Sequence, residues 1–259
     1  MDLETYNFQE VSSTNDYARE LLNQHNLVLV SALHQTAGRG RKGNDWFGSY
    51  GKNLYLSIGI NYDIAPSSNN LAILQPMSAL ITKNALINTT DLNIFRIKYP
   101  NDIYARDCEN YKKIAGILIE HNFSGSICKN SIIGIGINVL EENFPLDLEN
   151  TATSLKKLNL ISNKKSKLND ESALQVLQNS IIEFFNFYFD IYINGDTMKI
   201  YNEWKNELDI IGKEVIILET GQKAQIIEIL EDCRLYAKIL ENNKYFIIDN
   251  GNSIRYSLD

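Results

Sequence analysis

A chain of 259 residues with 44% hydrophobic content is long enough to bury a sizeable core, which excludes a disordered protein. The formal net charge of -7 argues against general affinity for nucleic acids or anionic membranes, because such binding depends on Lys and Arg neutralising phosphate groups. No apolar run approaches the roughly 18 residues of a membrane span, and the start of the sequence is acidic where a secretory signal would be basic, so we expect a cytoplasmic protein with no membrane partner.

The cysteines and histidines do not have the spacing of a metal site. The three cysteines lie far apart in the sequence, and the three histidines show neither an HExxH pattern nor a close pair. We therefore expect no metal held by protein ligands alone. A metal ion would arrive together with a phosphate ligand.

The first predicted elements are one helix and two strands. Ser13 is followed three residues later by Asp16, a pattern typical of a helix N-terminus with Ser13 as the N-cap, and the helix is predicted to begin near Thr14. Continuous apolar runs of strand length occupy residues 27–33 and 53–61. A glycine-rich segment joins the two strands and is predicted to be a loop.

Further helices and strands follow. Residues 71–86 have an apolar face of helical period, and residues 173–188 have the Leu, Ile and Phe spacing of a long buried helix. The polar segment 162–170 before the second of these helices is predicted to be a loop. Three strand-like runs lie between the helices, at residues 94–99, 113–122 and 131–140. This succession predicts an α+β domain.

The pattern of the sequence changes after Gly212. Short strand-like runs separated by turn residues follow one another, at residues 214–218, 224–230, 234–240, 245–249 and 253–256. Asn250 and Gly251 have the composition of a hairpin turn. The regular spacing predicts a small β-barrel, and hence two domains, residues 1–208 and 209–259.

The loop at residues 34–47, HQTAGRGRKGNDWF, has glycines in a GxGxxG frame with Arg39, Arg41 and Lys42 between them. No Asp or Glu occurs in residues 21–44, so this positive loop in an acidic protein predicts a small anionic ligand. A dinucleotide-binding turn would need a helix that begins inside the motif, and the glycines that follow break any such helix before the next strand. The alternative without a function is an exposed glycine turn.

Seven short motifs stand out along the chain: STN at residues 13–15, QTAGRGRKG at 35–43, Trp46, NLYLS at 53–57, KYPND at 98–102, KIAGILIE at 113–120 and GIGIN at 134–138. Their order and rough spacing resemble those of the biotin protein ligases over nearly the whole chain. The resemblance implies a mixed-sheet catalytic domain of the class II synthetase-like biotin/lipoate ligase fold, followed by an SH3-like β-barrel. It also implies that biotin and ATP form biotinyl-5′-AMP, with Mg²⁺ accompanying ATP, and that biotin is then attached to a lysine of a biotin carboxyl carrier protein.

The resemblance also implies which residues form the site. The biotin-binding set is Ser13, Thr14, Asn15, Gln35, Gly38, Arg39, Gly40, Arg41 and Gly116. The nucleotide-binding set is Arg39, Arg41, Trp46, Asn101, Asp102, Lys113 and Asn138, with Mg²⁺ near Asp102. The catalytic residues are Arg41, Lys113 and Asp102.

Each implied role has a chemical reason. Arg41 offers planar donors to the biotin carboxylate and later to the adenylate, and Lys113 brings a point charge to the α-phosphate. Asp102 is the implied acceptor for the proton of the incoming lysine. Trp46 would stack on the adenine, and Gly116 would leave room for the biotin chain against the sheet.

The same residues have structural alternatives, and two positions depart from the family pattern. Ser13 can be only a helix cap, Lys113 a solvated strand end, and Asp102 one of the turn residues that often follow a proline. The departures are Tyr99, where the family usually has Trp, and Gly48, where it usually has Ser. We expect Tyr99 to keep an aromatic wall, whereas Gly48 lacks a hydroxyl contact.

Three other functions remain open. The last of them is RNA binding by the basic loop, against which stand its few aromatic residues and the acidic chain. A lipoate or octanoate ligase would have the same fold and two-step chemistry, although GRGRKG and KYPND fit a biotin ligase better. A biotin-responsive DNA-binding regulator would need a winged helix ahead of the STN motif, which already ends at Asn15, so we expect no DNA binding. A monomer and a homodimer are both compatible with the sequence.

Overall fold

The computed structural model describes residues 3–161 and 168–258 and shows an α+β protein with two β-sheets. The larger sheet consists of β1 (Glu4–Val11), β2 (Leu27–Gln35), β3 (Asn53–Asn61), β4 (Phe95–Lys98), β5 (Asp102–Asp107), β6 (Asn110–Ser124) and β7 (Ile127–Asn138). Their order across the sheet is β1-β2-β3-β7-β6-β5-β4. β1 and β2 pair in parallel and the other neighbours are antiparallel, which makes the sheet mixed, as the resemblance implied.

Helices cover both faces of this sheet. They are α1 (Thr14–Leu21), α2 (Ser68–Thr90), α3 (Ala173–Ile193) and α4 (Thr197–Leu208). Leu27 and Leu29 of β2 belong to the large core under α2, α3 and α4, whereas Val28 and Val30 belong to a smaller cluster under α1. This follows from the alternation of side chains along a strand. None of the helices in the described ranges is long and apolar enough to cross a membrane.

The second sheet is a curled antiparallel half-barrel of five short strands, consistent with the SH3-like barrel that was implied. It consists of β8 (Glu214–Ile217), β9 (Lys223–Ile229), β10 (Leu235–Ile239), β11 (Tyr245–Ile248) and β12 (Ile254–Arg255), in the order β11-β10-β9-β8-β12. Val215 and Ile226 belong to the same buried core as the large sheet. The division between residues 208 and 209 falls in the connection from α4 to β8, and because one core spans both parts it remains a prediction about domains.

Several predicted elements are present with shifted ends. The helix beginning at Thr14 and the strand at residues 53–61 match the structure. The helix predicted at residues 71–86 is longer because it begins after Ser67, whose hydroxyl accepts the N–H of Asn70 at 3.1 Å. Most of the predicted loop at 162–170 lies outside the described residues.

Asn250 and Gly251 do not form a hairpin turn, contrary to the sequence prediction. β11 pairs with β10 and β12 pairs with β8, so the two strands lie at opposite edges of the half-barrel. A 3₁₀ turn at Gly251–Ser253 connects them. Gly251 instead packs against the turn that follows β4. The contact is so close that a β-carbon at Gly251 would clash with the carbonyl of Tyr99. The composition indicated a turn correctly, but a tertiary contact determines what the turn connects.

Candidate active site

The α1 face of the large sheet contains an area lined by glycines. Gly116 of β6 pairs with Gly136 of β7, and Gly134 lies on the same face two residues earlier. A β-carbon at Gly134 would clash with Asn15 of α1, and one at Gly116 or Gly136 would clash with the indole of Trp46. The glycines therefore let α1 and the glycine-rich loop approach the sheet closely.

A cavity of about 60 Å³ opens on this face. Most of the residues assigned to biotin line it: Ser13, Thr14, Asn15, Gln35, Arg39, Gly40, Arg41 and Gly116. Gly38 lies beside the cavity lining, packs against Gln35, and accepts the N–H of Trp46 at 3.0 Å with its carbonyl. The fold thus brings the predicted biotin residues, apart from Gly38, to one cavity.

Uncharged hydrogen-bonding groups form one end of this cavity. Gln35 Oε1 accepts from the backbone N–H of Thr14 at 2.8 Å and from its hydroxyl at 3.0 Å. The buried Ser57 hydroxyl lies 2.7 Å from Thr14 Oγ1 and 2.6 Å from Asn15 Oδ1, and its one proton serves only one of them at a time. Ser13 occupies the N-cap position of α1 as predicted, but its side chain makes no capping hydrogen bond and the residue lines the cavity.

Glu120 orients Asn15 and was not predicted from the sequence. Its Oε2 accepts from Asn15 Nδ2 at 2.7 Å and from Arg19 Nη2 at 3.0 Å. The amide of Asn15 therefore directs its Oδ1 toward Ser57. The only sequence signal was an acidic residue at the end of the apolar run KIAGILIE, which does not indicate these partners.

Arg39 is held at the cavity wall by acidic residues. Its guanidinium donates to the two oxygens of Asp16 at 2.7 Å each and lies 3.8 Å from Glu120. The hydrogen bond to Asp16 raises the pKa of Arg39, and in return it lowers the pKa of the Asp16 carboxyl. The absence of acids in residues 21–44 predicted an uncompensated loop, but α1 and β6 supply the compensating carboxylates.

Asp102 joins the two cations that were predicted to be catalytic. Its Oδ2 accepts from Arg41 Nη2 at 2.8 Å and lies 3.0 Å from Lys113 Nζ. Its other oxygen, Oδ1, is buried without a hydrogen-bond partner among the described residues. Lys112, the preceding residue of β6, pairs with Asp107 at 2.9 Å, so the two lysines point in different directions, as expected for neighbouring residues of a strand.

The indole of Trp46 fills the slot above Gly116 and Gly136. Lys113 Nζ lies 5.6 Å from the centre of the ring, within range of a cation–π interaction. Trp46 Nε1 is buried and has no hydrogen-bond partner within the described part of the chain. The resemblance implied that the biotin chain lies against Gly116 and that Trp46 stacks on the adenine, whereas in this structure the indole itself occupies the space against Gly116.

A second cavity, of about 190 Å³, adjoins the first and shares Gly40, Arg41, Trp46, Asp102 and Lys113 with it. Asn138, assigned to the nucleotide, lines it together with an apolar group that was not predicted: Phe47, Phe144, Leu148 and Ala152. Phe47 and Phe144 face each other with ring centres 6.4 Å apart. Most of this wall comes from the segment after β7, which has no periodic pattern and gave no signal in the sequence.

Three residues of interest lie away from the cavities. Asn101 is buried beneath them and donates from Nδ2 to a carbonyl of β6 at 3.3 Å. Tyr99 packs toward the half-barrel, where its hydroxyl donates to the carbonyl of Cys233 at 3.0 Å, so the expected aromatic wall is wrong. A β-carbon at Gly48 would clash with the hydroxyl of Tyr55, which explains why this chain has no Ser there.

The side chain of Lys42, the third cation of the loop, lies outside what the structure describes. Among the residues of the described ranges, no cluster of three or more His, Cys, Asp and Glu could hold a metal ion.

Similarity in sequence to known proteins covers about half of the chain. The biotin/lipoate A/B protein ligase family matches residues 7–138. The bifunctional ligase/repressor BirA of Escherichia coli (strain K12) is 32% identical over 130 residues, 50% of this chain and 38% of that protein. BirA of Bacillus subtilis (strain 168) is 36% identical over 154 residues, 57% of this chain and 44% of that protein. The chain thus matches less than half the length of these relatives.

Solved structures match over nearly the whole chain. The biotin protein ligase from Aquifex aeolicus in complex with biotin and ATP has a TM-score of 0.70 and 25% identity, covering 98% of this chain and 99% of that chain. The biotin protein ligase from Leishmania major in complex with biotinyl-5-AMP has a TM-score of 0.61 and 20% identity, covering 95% and 99%. The second likeness shows the fold alone.

Proposed function

Because the chain belongs to the biotin/lipoate A/B protein ligase family, we propose that it acts as a biotin protein ligase. It joins biotin and ATP into biotinyl-5′-AMP and then transfers the biotinyl group to a lysine of a biotin carboxyl carrier protein. The observation that carries the proposal is the position of Arg41 and Lys113, which lie where a polar cavity meets a more apolar one. The Aquifex aeolicus structure, which contains biotin and ATP, supports both substrates.

The polar end of the first cavity suits the ureido ring of biotin. This ring has two N–H donors and one carbonyl acceptor, so it needs both acceptors and donors from the protein. The hydroxyls of Ser13 and Thr14 and the amides of Asn15 and Gln35 supply both kinds of group. Hydrogen bonds from Thr14 to Gln35 and from Ser57 to Asn15 hold three of these side chains in place before the ligand arrives.

The cations suit the first chemical step. A biotin carboxylate oxygen attacks the α-phosphorus of ATP, the bond to the β-phosphate oxygen breaks, and pyrophosphate leaves. Both reactants are anionic and repel each other, so Arg41 and Lys113 lower the barrier by neutralising them. Since Asp102 already binds both cations, the ligand anions compete with its carboxylate for them.

The second cavity suits the nucleotide. Phe47, Phe144 and Leu148 offer an apolar wall for the adenine, and Asn138 offers a polar group beside it. Mg²⁺ bound with ATP neutralises phosphate charge. The buried Asp102 Oδ1, which lacks a hydrogen-bond partner among the described residues, is a carboxylate oxygen that fits such an ion.

Asp102 also has the proposed role of proton acceptor in the second step. The carrier lysine amine attacks the acyl carbon of biotinyl-5′-AMP, an amide bond forms, the bond to AMP breaks, and the amine proton passes to the carboxylate. We expect Asp102→Asn to slow transfer from preformed biotinyl-5′-AMP by roughly 10²-fold. Asp107→Asn is the matched control, because Asp107 pairs with Lys112 outside the cavities. An unchanged transfer rate in Asp102→Asn would remove this role.

The experiment that tests the function is magnesium-dependent release of pyrophosphate from ATP, with biotin, lipoate or octanoate offered in turn to the purified protein. Release with biotin alone supports the proposal. Release only with lipoate or octanoate would identify the other ligase of this family. No release with any of the three, together with measurable biotin binding, would leave a binding protein.

A further inference from the structure

The turn that connects β4 to β5 carries Asp102 at its end. Lys98 and Asp102 are paired across the hairpin, and residues 99–101 form the turn between them. β4 is the edge strand of the large sheet, so this turn has no neighbouring strand beyond it to fix its position. The position of the Asp102 carboxylate between Arg41 and Lys113 therefore depends on what holds the turn.

The half-barrel and α4 provide the contacts of the turn. The hydroxyl of Tyr256 accepts the backbone N–H of Tyr99 at 2.7 Å, and both residues are buried. The Tyr99 hydroxyl donates to the carbonyl of Cys233 at 3.0 Å. Trp204 of α4 donates from Nε1 to the carbonyl of Pro100 at 3.0 Å. Buried backbone groups without partners are costly, so these bonds favour one position of the turn.

The half-barrel also packs closely against the backbone of the turn. A β-carbon at Gly251 would clash with the carbonyl of Tyr99 and would come within 2.6 Å of Pro100 Cδ. The half-barrel thus approaches the backbone of the turn directly. On the other side, the ring of Tyr256 lies 5.4 Å from Lys98 Nζ, at the base of the same hairpin.

We infer that the half-barrel positions Asp102 for the reaction by holding the turn at residues 99–101, with Tyr256 and Gly251 as positioning residues. The inference rests on the proposed function for the role of Asp102. Neither residue lines either of the two cavities described above, so we infer that they act through the turn and not by touching the substrates. This assigns the half-barrel a part in catalysis although it lies outside the site.

The test uses Tyr256→Phe in the full chain. Phe keeps the ring beside Lys98 and removes only the hydroxyl that accepts from Tyr99. Tyr245→Phe is the matched control, since this tyrosine of the same half-barrel is 53% exposed and far from the turn in the sheet order. Tyr99→Phe, which removes the bond to the Cys233 carbonyl, is the second variant if Tyr256→Phe does not fold.

Two measurements are compared. Hydrogen exchange of the turn amides should be about two- to tenfold faster in Tyr256→Phe than in wild type, the fold-change that corresponds to one lost hydrogen bond. Transfer from preformed biotinyl-5′-AMP should be roughly ten- to hundredfold slower, because small displacements of a catalytic group have effects of this size. In a protein that already carries Asp102→Asn, Tyr256→Phe should change the transfer rate little. Tyr256 is inferred to act only by positioning the Asp102 carboxylate, which is absent from that protein.

The outcomes are separable. If the turn amides of Tyr256→Phe exchange hydrogen at the same rate as those of Tyr245→Phe, the inference is wrong, whatever the rate of biotin transfer. Faster exchange with wild-type transfer, or an equal loss of transfer in the Asp102→Asn background, would overturn the positioning role. A wild-type protein that forms no biotinyl-5′-AMP would count against the proposed function alone, because hydrogen exchange requires no activity and still decides whether the half-barrel holds the turn.

Discussion

Asp102 lies between Arg41 and Lys113, the two cations that we propose bind the ligand anions. Its Oδ2 lies within 3.0 Å of both cationic groups, so one carboxylate offsets one of their two positive charges. Arg39 is compensated in the same way by Asp16. The cavity is therefore less positive than the loop sequence suggested, and it holds its cations in place by ion pairs that the ligand must replace.

Lys113 and Lys112 form a matched pair for mutation. We expect Lys113→Ala to lower the rate of biotin adenylation by roughly 10²- to 10³-fold, because it removes a cation from the developing charge on the α-phosphate. Lys112→Ala should stay within about twofold, since this lysine pairs with the partly exposed Asp107 and lies outside both cavities. The check is steady-state pyrophosphate release; equal effects of the two substitutions would contradict the assigned role.

At this scale the sequence predicted which motif residues come together better than it predicted their contacts. The motif order pointed to Arg41, Lys113 and Gln35, which the fold brings to one cavity. It did not point to Glu120 or Phe144, because their contacts depend on which residues the sheet register and an irregular segment bring together. The binding roles of all these residues stay predictions until ligands are tested.

At the scale of elements, the glycine-rich loop is a compact structure that delivers Trp46 to the sheet. The N–H of Gly40 donates to the carbonyl of Asn44 at 2.6 Å, and Arg39 and Asp45 form an isolated antiparallel bridge. A single 3₁₀ turn replaces the helix that a dinucleotide site would need. The loop is therefore short and closed on itself, with its aromatic side chain inside the first cavity.

Biotin binding should move Trp46 and change its fluorescence. The chain has two tryptophans, and Trp204 is fully buried in the core, so it serves as an unchanging background. We expect tryptophan emission to change on titration with biotin in wild type and to stay constant in Trp46→Phe, with biotin affinity measured independently by calorimetry. Tight biotin binding without any change in emission would show that the indole does not need to leave the slot.

The sequence did not predict β1, β5 or α4, because the hydrophobic patterns of these elements are weak. β1 lies at a sheet edge with most of its residues partly or fully exposed, so it lacks the apolar run that marked the other strands. β5 follows the turn after Pro100, where turn residues mask a short strand. α4 has only four buried residues in twelve, and its burial against α2 and the half-barrel is decided by tertiary packing.

At the scale of the whole molecule, the half-barrel and the large sheet form one packed unit. Tyr201 of α4 donates its hydroxyl to the carbonyl of Ile229 in β9 at 2.5 Å, and Lys83 of α2 pairs with Glu207. The change of sequence pattern after Gly212 correctly predicted where the second sheet begins. It could not reveal the shared core, because periodicity describes each segment separately.

We expect the protein to lose stability at alkaline pH, because two tyrosines are buried where the half-barrel meets the large sheet. Burial raises the pKa of Tyr99 and of Tyr256 above the usual 10.0. Above about pH 10 the unfolded chain loses these protons while the folded chain keeps them, so the free energy of unfolding falls by up to about 1.4 kcal/mol per pH unit for each tyrosine. Below that pH the contribution is fully present.

Urea denaturation at pH 8 and at about pH 11 measures this loss. Tyr256→Phe should lose less stability between the two pH values than wild type, because it has one fewer buried hydroxyl to keep protonated. Tyr245→Phe, an exposed control, should show the wild-type dependence. The same decline in all three proteins would show that Tyr256 does not contribute to it.

The measurement that tests the account most directly is detection of the intermediate. The protein is incubated with biotin, ATP and Mg²⁺ in the absence of a carrier, and the products are separated and weighed by mass spectrometry. The account predicts biotinyl-5′-AMP retained by the wild-type protein and strongly reduced in Lys113→Ala but not in Lys112→Ala. Recovery of unmodified biotin from a folded wild-type protein that binds both biotin and ATP would contradict it.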